Sequence, residues 1–207
     1  PGKVVDAEYF YYDTAPNYNK ELAIVCGGYE KCASDFNINR SNYPYSFVKL
    51  TIKGKGVLDI NSQDIPLKPG VLTGFEPGTA HHYIADAHDP MEHMFVTFAG
   101  NKAPELFRKS GLSENNYILV PDYEEILSVF RKIMHHGLHK PPYSQEICVN
   151  YLQILMLEQT LLRPDINADT SISMSTFQEC KRMIDQNFST IQSPYQVAQN
   201  CGIDVRY

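Results

Sequence analysis

The sequence predicts a mainly β domain, a sandwich or barrel, followed by α-helices. Short apolar or alternating runs recur between glycine- and proline-bearing turns through the first two-fifths of the chain. Beyond Gly100 the apolar period lengthens from two to about 3.6. The 207 residues, 43% hydrophobic and 20% charged, are enough to bury a substantial core.

The elements follow in order. Leu22 to Cys26 is an apolar run that the sequence expects to stop at Gly27-Gly28. Residues 47–52 alternate, with Val48, Leu50 and Ile52 on one face and Lys49 and Thr51 on the other. Gly54 and Gly56 mark the next turn. Runs at 57–60, 65–67, 71–75 and 81–84 are separated by Asn61-Ser62-Gln63-Asp64, Lys68-Pro69-Gly70 and Glu76-Pro77-Gly78. A last strand at 93–98 ends at Gly100. The aromatic cluster Tyr9-Phe10-Tyr11-Tyr12 reads either as an arm folded over a pocket or as packing on the exterior.

The helical part opens at Asp122, an N-cap with Glu125 three places on. Ile126, Phe130, Ile133 and Met134 supply a stripe, and Gly137 a C-terminal stop. A second helix spans 143–163, between Pro141-Pro142 and Pro164. Its apolar positions include Ile147, Tyr151, Leu152, Leu155 and Leu162. They cover nearly half the circumference, wider than one supporting core requires. That width predicts a second partner for this face, a homodimer, with Glu158 inside the arc fixing register. Residues 164–173 are polar and read as a linker. In 174–207, Ser175 and Gln178 make a capping box, and Ser193-Pro194 an N-cap with proline at the first helical position. Gly202 supplies a turn, and Asp204 would cap a further helix.

Composition excludes several roles. The net charge of -6 argues against a stand-alone nucleic-acid binder. No apolar run reaches the roughly 20 residues needed to cross a bilayer. The five cysteines are scattered and odd in number, which reads as reduced thiols in a cytoplasmic protein. No cofactor is expected.

Two stretches carry a resemblance. Residues 177–203, a short helix, a glycine turn and a new N-cap, resemble the start of the DNA-binding domain of the AraC family of bacterial transcription regulators. The segments Cys26 to Cys32, Arg40, Leu50-Thr51-Ile52-Lys53-Gly54-Lys55-Gly56, Leu67 to Gly70, Pro77 to Tyr83 and Phe95-Val96-Thr97-Phe98 resemble that family's ligand-binding domain in order and spacing, nearest to its arabinose-responsive members. The resemblance implies a cupin-like β-barrel (jelly-roll) at 1–100 with an N-terminal arm. It implies a helical dimerisation segment at 101–163, the linker at 164–173, and a truncated first helix-turn-helix at 174–207.

The resemblance also places Arg40, Tyr83, His93 and Phe95 where those relatives contact sugar. Phe95 stands where tryptophan is expected. The residues fit such a task. His93, Phe95 and Thr97 share one strand face, and the Arg40 guanidinium offers five donors in a fork. The implied function is a sensor of a small polar effector, a sugar, controlling DNA binding through the complete parent protein. This chain by itself is not expected to read DNA: Lys181, Arg182 and Arg206 only balance Glu179, Asp185 and Asp204. Two alternatives remain open. A cupin enzyme would gather histidines around a metal. Pro77-Gly78-Thr79-Ala80-His81 resembles the later cupin motif, but residues 47–66 contain no histidine for the earlier His-x-His pair, so no catalytic metal is expected. Only His81, His82, His93 and Glu92 would be left to rebuild the site. The other alternative is an interaction module with an empty barrel.

Overall fold

The computed structural model describes residues 3–12, 20–120, 123–159, 180, 184, 191 and 193–201. The chain divides into two compact units, Pro1–Thr160 and Leu161–Tyr207.

The first unit is a cupin-like fold of two antiparallel sheets with helices against one of them. Its strands are β1 (Val4–Tyr11), β2 (Ala23–Cys32), β3 (Asn37–Arg40), β4 (Ser46–Lys53), β5 (Gly56–Ile60), β6 (Gln63–Leu67), β7 (Val71–Phe75), β8 (His81–Ala85), β9 (Glu92–Ala99) and β10 (Tyr117–Leu119). The larger sheet runs β1-β2-β9-β4-β7-β10 and the smaller β3-β8-β5-β6. The sheets face each other without closing into a continuously hydrogen-bonded barrel. Their shared core includes Phe47, Phe75 and Val71 from the larger sheet and Leu58, Ile65, Leu67 and Tyr83 from the smaller.

Turn chemistry sets the hairpins. Asn61 and Ser62 have φ of 52° and 61°, the pair of left-handed residues that a two-residue turn between twisted strands requires. At Lys68-Pro69-Gly70 the Val71 N–H donates to the Lys68 carbonyl at 3.0 Å and Gly70 sits at φ 86°. That is proline and glycine in the positions a type II turn favours.

The outer face of the larger sheet is covered by α1 (Ala103–Ser110), α2 (Leu112–Asn115), α3 (Tyr123–His139) and α4 (Ser144–Glu158). Val48, Leu50, Val96 and Phe98 lie on that face with at most 1% exposure. The Phe98 ring stacks on Phe107 of α1 at 5.7 Å. Both faces of β4 are therefore buried, and its polar alternates Lys49 and Thr51 point between the sheets rather than to water.

Three local expectations are corrected. Gly27-Gly28 does not end β2, which continues to Cys32. Rings fill the space the two glycines leave: a Cβ at Gly27 would lie 2.6 Å from Phe10, and one at Gly28 2.5 Å from Tyr9. Gly137 does not end α3 either. The other side of the Phe10 ring sits on it, 2.4 Å from where its Cβ would be. Finally, β1 pairs with β2 from Val4 to Tyr11 instead of merely packing on the outside. Its aromatics divide by strand parity: Phe10 faces the helices, while Tyr9 and Tyr11 face the space between the sheets.

Helix α4 starts one residue later than expected. Leu152 and Leu155, expected at a dimer contact, are fully buried within this chain, because α4 packs against α1, α3 and β2. Ile147 and Tyr151 are half-buried, and the large apolar residues left exposed on α4 are Ile154 and Leu157. In the second unit, α5 (Pro194–Cys201) begins after Ser193, whose hydroxyl accepts the Gln196 N–H at 3.4 Å. Leu162, the 164–173 linker, the Asp122 and Asp204 caps and the Ser175–Gln178 capping box lie outside the described residues. All five cysteines are free thiols. No helix among the described residues is long and apolar enough to cross a membrane.

Candidate ligand-binding site

A cavity of about 360 Å³ opens between the two sheets. One wall is aromatic. Phe95 of β9 stacks on Phe47 of β4 at 5.6 Å, Phe47 on Phe75 at 4.9 Å, and Phe75 on the His81 imidazole at 4.1 Å. Tyr9 tilts toward Phe95 at 6.2 Å. Tyr9, Tyr11 and Arg40 are exposed and form the rim, with the Arg40 guanidinium 4.8 Å from the centre of the Tyr43 ring.

The opposite end is polar and charged. Glu30 of β2 faces His93 of β9 in register. The His93 Nε2–H donates to Glu30 Oε2 at 2.8 Å, and the Tyr9 hydroxyl donates to Oε1 at 2.7 Å. Burial pushes Glu30 up, but the bonds from His93 and Tyr9 and the charge of Lys49 outweigh it, so its carboxyl lies below the ordinary range. Burial, helped by the Lys49 charge, pushes His93 down to about 4. The pair is thus a neutral imidazole donating to a carboxylate. That tautomer leaves Nδ1 to accept from the Cys32 thiol at 3.7 Å, and burial lifts the thiol to about 12.

Lys49 completes the polar end. Only 2% exposed, it holds its ammonium 3.1 Å from the centre of the Tyr83 ring. This cation–π contact takes the place of a carboxylate partner. Burial pushes the amine down to about 7. The hydroxyl of Tyr83 bonds Thr73 Oγ1 at 3.3 Å. His81 Nδ1–H donates to the Thr79 carbonyl at 3.0 Å, anchoring the turn, while its ring also lines the cavity.

Arg40, Tyr83, His93 and Phe95 therefore meet in one cavity. They do not present equal surfaces. Arg40 and Phe95 offer a charged fork and a ring face, whereas the polar atoms of His93 and Tyr83 are already engaged. Sequence reasoning missed Glu30, Cys32 and Lys49. The signal for Lys49 was its parity: once Val48 and Leu50 face the helices, Lys49 must face the other sheet.

The four residues considered for a metal do not converge. His82 turns outward to Asn37 at 2.9 Å, and Glu92 lies on the far face of β9 with Tyr29, Lys31 and Lys53. Another set does: donor atoms of Glu30, Cys32 and His93 lie within 4.8 Å of one another, the donor types a divalent transition metal accepts. The Glu30–His93 bond and the nearby Lys49 charge both oppose such an ion. A larger cleft, about 660 Å³, lies outside the big sheet beside α3.

Comparison with known proteins bears on this cavity. The AraC-like ligand binding domain family matches residues 26–144, more than half of the chain. The arabinose operon regulatory protein of Salmonella typhimurium is 28% identical over 160 residues, covering 70% of this chain and 54% of that protein. The Msm operon regulatory protein of Streptococcus mutans is 28% identical over 102 residues, covering 48% of this chain and 36% of that protein. The chain thus spans about half the length of the first of these relatives and less of the second. Among solved structures, the AraC-like transcriptional activator CuxR matches with a TM-score of 0.50 and 11% identity, over 97% of this chain and 77% of that one. At that identity the likeness is one of fold.

Proposed function

The chain belongs to the AraC-like ligand binding domain family, and from that premise we propose that it senses a sugar, as the effector-binding and dimerisation part of a cytoplasmic, non-enzymatic transcription regulator. The observation that carries the reading is the cavity: an aromatic wall for the CH face of a sugar ring beside convergent polar groups for its hydroxyls. Arg40 and Phe95 make the main contacts, with His93 and Tyr83 lining the site. DNA is reached through the helix-turn-helix of the complete regulator. The effector acts by binding two arrangements of the arm or dimer with different affinity, since equal affinity would shift neither. Strand β1 suits this role, because it puts Tyr9 and Tyr11 on the cavity rim.

Calorimetric titration against a panel of mono- and disaccharides tests the reading. One sugar is expected to bind, and Arg40→Ala to weaken it by about 1.5–3 kcal/mol through loss of a charge-assisted hydrogen bond. Unchanged affinity in that variant removes Arg40 from the site. Equal melting with and without every sugar favours the empty interaction module. One observation favours the metal-dependent cupin enzyme, the Glu30–Cys32–His93 cluster. That reading requires stoichiometric zinc, iron or manganese on the purified protein.

The homodimer is proposed through α4. With Leu152 and Leu155 committed to the core, the contact stripe runs through Ile147, Tyr151 and Ile154, with Glu158 in line at the same helical spacing. Sedimentation is expected to give a dimer at micromolar concentration and Ile154→Glu to dissociate it. A wild-type monomer under those conditions contradicts the proposal.

A further inference from the structure

We propose that the effector carries a carboxylate: the ligand class is a monosaccharide acid, such as a uronate, and Lys49 with Arg40 selects it over the neutral sugar. This rests on the carbohydrate reading above and narrows it. The supporting observation is the charge inside the cavity. Two cationic side chains reach it from opposite sheets, Lys49 from β4 and Arg40 from β3. Among the described residues, neither forms a salt bridge with a carboxylate; each lies instead over a tyrosine ring, Tyr83 and Tyr43 respectively. Their charges oppose each other, since Arg40 disfavours the charged form of Lys49.

Besides Arg40, the charged or titratable groups that act on Lys49 are Glu30 and Cys32, and neither they nor the nearby Tyr83, His81 and His93 are left to neutralise it. Glu30 of β2 supplies the cavity's single carboxylate and is held by His93 and Tyr9. Cys32 of β2 and Tyr83 of β8 are kept protonated by burial. His93 of β9 and His81 of β8 are kept neutral by it. With Lys49 protonated, two positive charges face one negative, and a single negative charge completes the balance. A neutral sugar leaves the repulsion between Lys49 and Arg40 unrelieved. A carboxylate relieves it, and its two oxygens match the guanidinium fork. A phosphate monoester, close to two negative charges at neutral pH, would overshoot beside Glu30. The volume of about 360 Å³ is at the small end of ligand pockets, suited to one sugar ring.

The test is calorimetric titration of the whole chain near pH 7 with matched pairs, each pentose or hexose beside its uronate or aldonate, and with the sugar phosphate as a third arm. One acid is expected to bind at least tenfold more tightly than both its neutral parent and the phosphate. Lys49→Met is expected to bring the acid down to the affinity of the neutral parent. A second measurement needs no variant. Because the Lys49 amine titrates at about 7, binding the acid draws a proton from solution, roughly half a proton at that pH, read from the heat in buffers of different ionisation enthalpy. Two results overturn the proposal while leaving the carbohydrate reading intact. One is a neutral sugar or a sugar phosphate that binds as tightly as the acid. The other is acid binding without proton uptake. Binding of no sugar of any kind overturns both.

Discussion

Phe10→Ala is expected to lower the stability of the β unit by about 3–5 kcal/mol, the cost of truncating a core aromatic that its surroundings cannot refill. The neighbours on both sides are glycines. The ring is 3% exposed and is clamped between Gly27 of β2 and Gly137 of α3, so its loss leaves a void lined by backbone. The variant is also expected to bind effector more weakly. Phe10 holds the edge strand that carries Tyr9 and Tyr11 to the cavity rim, and β2 is the single strand beside β1. Urea unfolding measures the first effect and calorimetric titration the second. A loss of stability below about 1 kcal/mol would mean that β1 is held by its ladder and not by this ring.

Glu30→Leu is expected to cost about 1–3 kcal/mol, because the buried His93 donor is left without an acceptor. The His93 N–H and the Tyr9 hydroxyl lose their acceptor, and Lys49 loses the one carboxylate charge near it. The same cluster predicts acid sensitivity. His93 titrates at about 4 in the fold against 6.5 in the unfolded chain. As pH falls from 6.5 toward 4 the unfolded chain takes up a proton that the fold refuses, and stability drops by on the order of 3 kcal/mol. Glu30, whose folded value is lowered, adds to the loss at more acid pH. Lys49 acts in the alkaline window. Its folded value of about 7 lies below its ordinary 10.5, so stability rises as pH climbs from 7 to 10.5. Urea midpoints measured from pH 4 to 7 would fall on acidification, and a flat profile would show that the imidazole is not held neutral.

Turn residues and period made most of the β framework legible. The hairpin at Asn61-Ser62 and the turn at Lys68-Pro69-Gly70 punctuate strands that fall within a residue or two of expectation. Strands β1, β3 and β10 were not legible. Asn37-Ile38-Asn39-Arg40 is too short and polar to show a pattern, and its strand character comes from pairing with β8. Tyr117 to Leu119 becomes a strand because β7 offers an open edge. The glycines misled where their meaning was tertiary. Gly27 and Gly137 read as stops, but they make room for one ring that arrives from more than a hundred residues away in one case. The cavity was half legible. Residue types and resemblance pointed to Arg40, Tyr83, His93 and Phe95, while Lys49 looked like an ordinary charge on a strand face and Glu30 lay beyond the expected end of its strand. Strand parity says which residues share a face. It takes the positions of the helices to say which face is inside.

The order of strands in the larger sheet has a consequence for how the protein is made. Strand β9 lies between β2 and β4, yet it is synthesised last of the three. When β4 leaves the ribosome at Lys53, the strand that joins it to β2 does not begin until Glu92. At roughly 5–20 residues per second that interval is a few seconds. During it β2 and β4 both present apolar faces and open edges to solvent, the condition under which strands pair with the wrong chain. Slowing translation between residues 53 and 92 is therefore expected to lower the yield of native protein by lengthening this window.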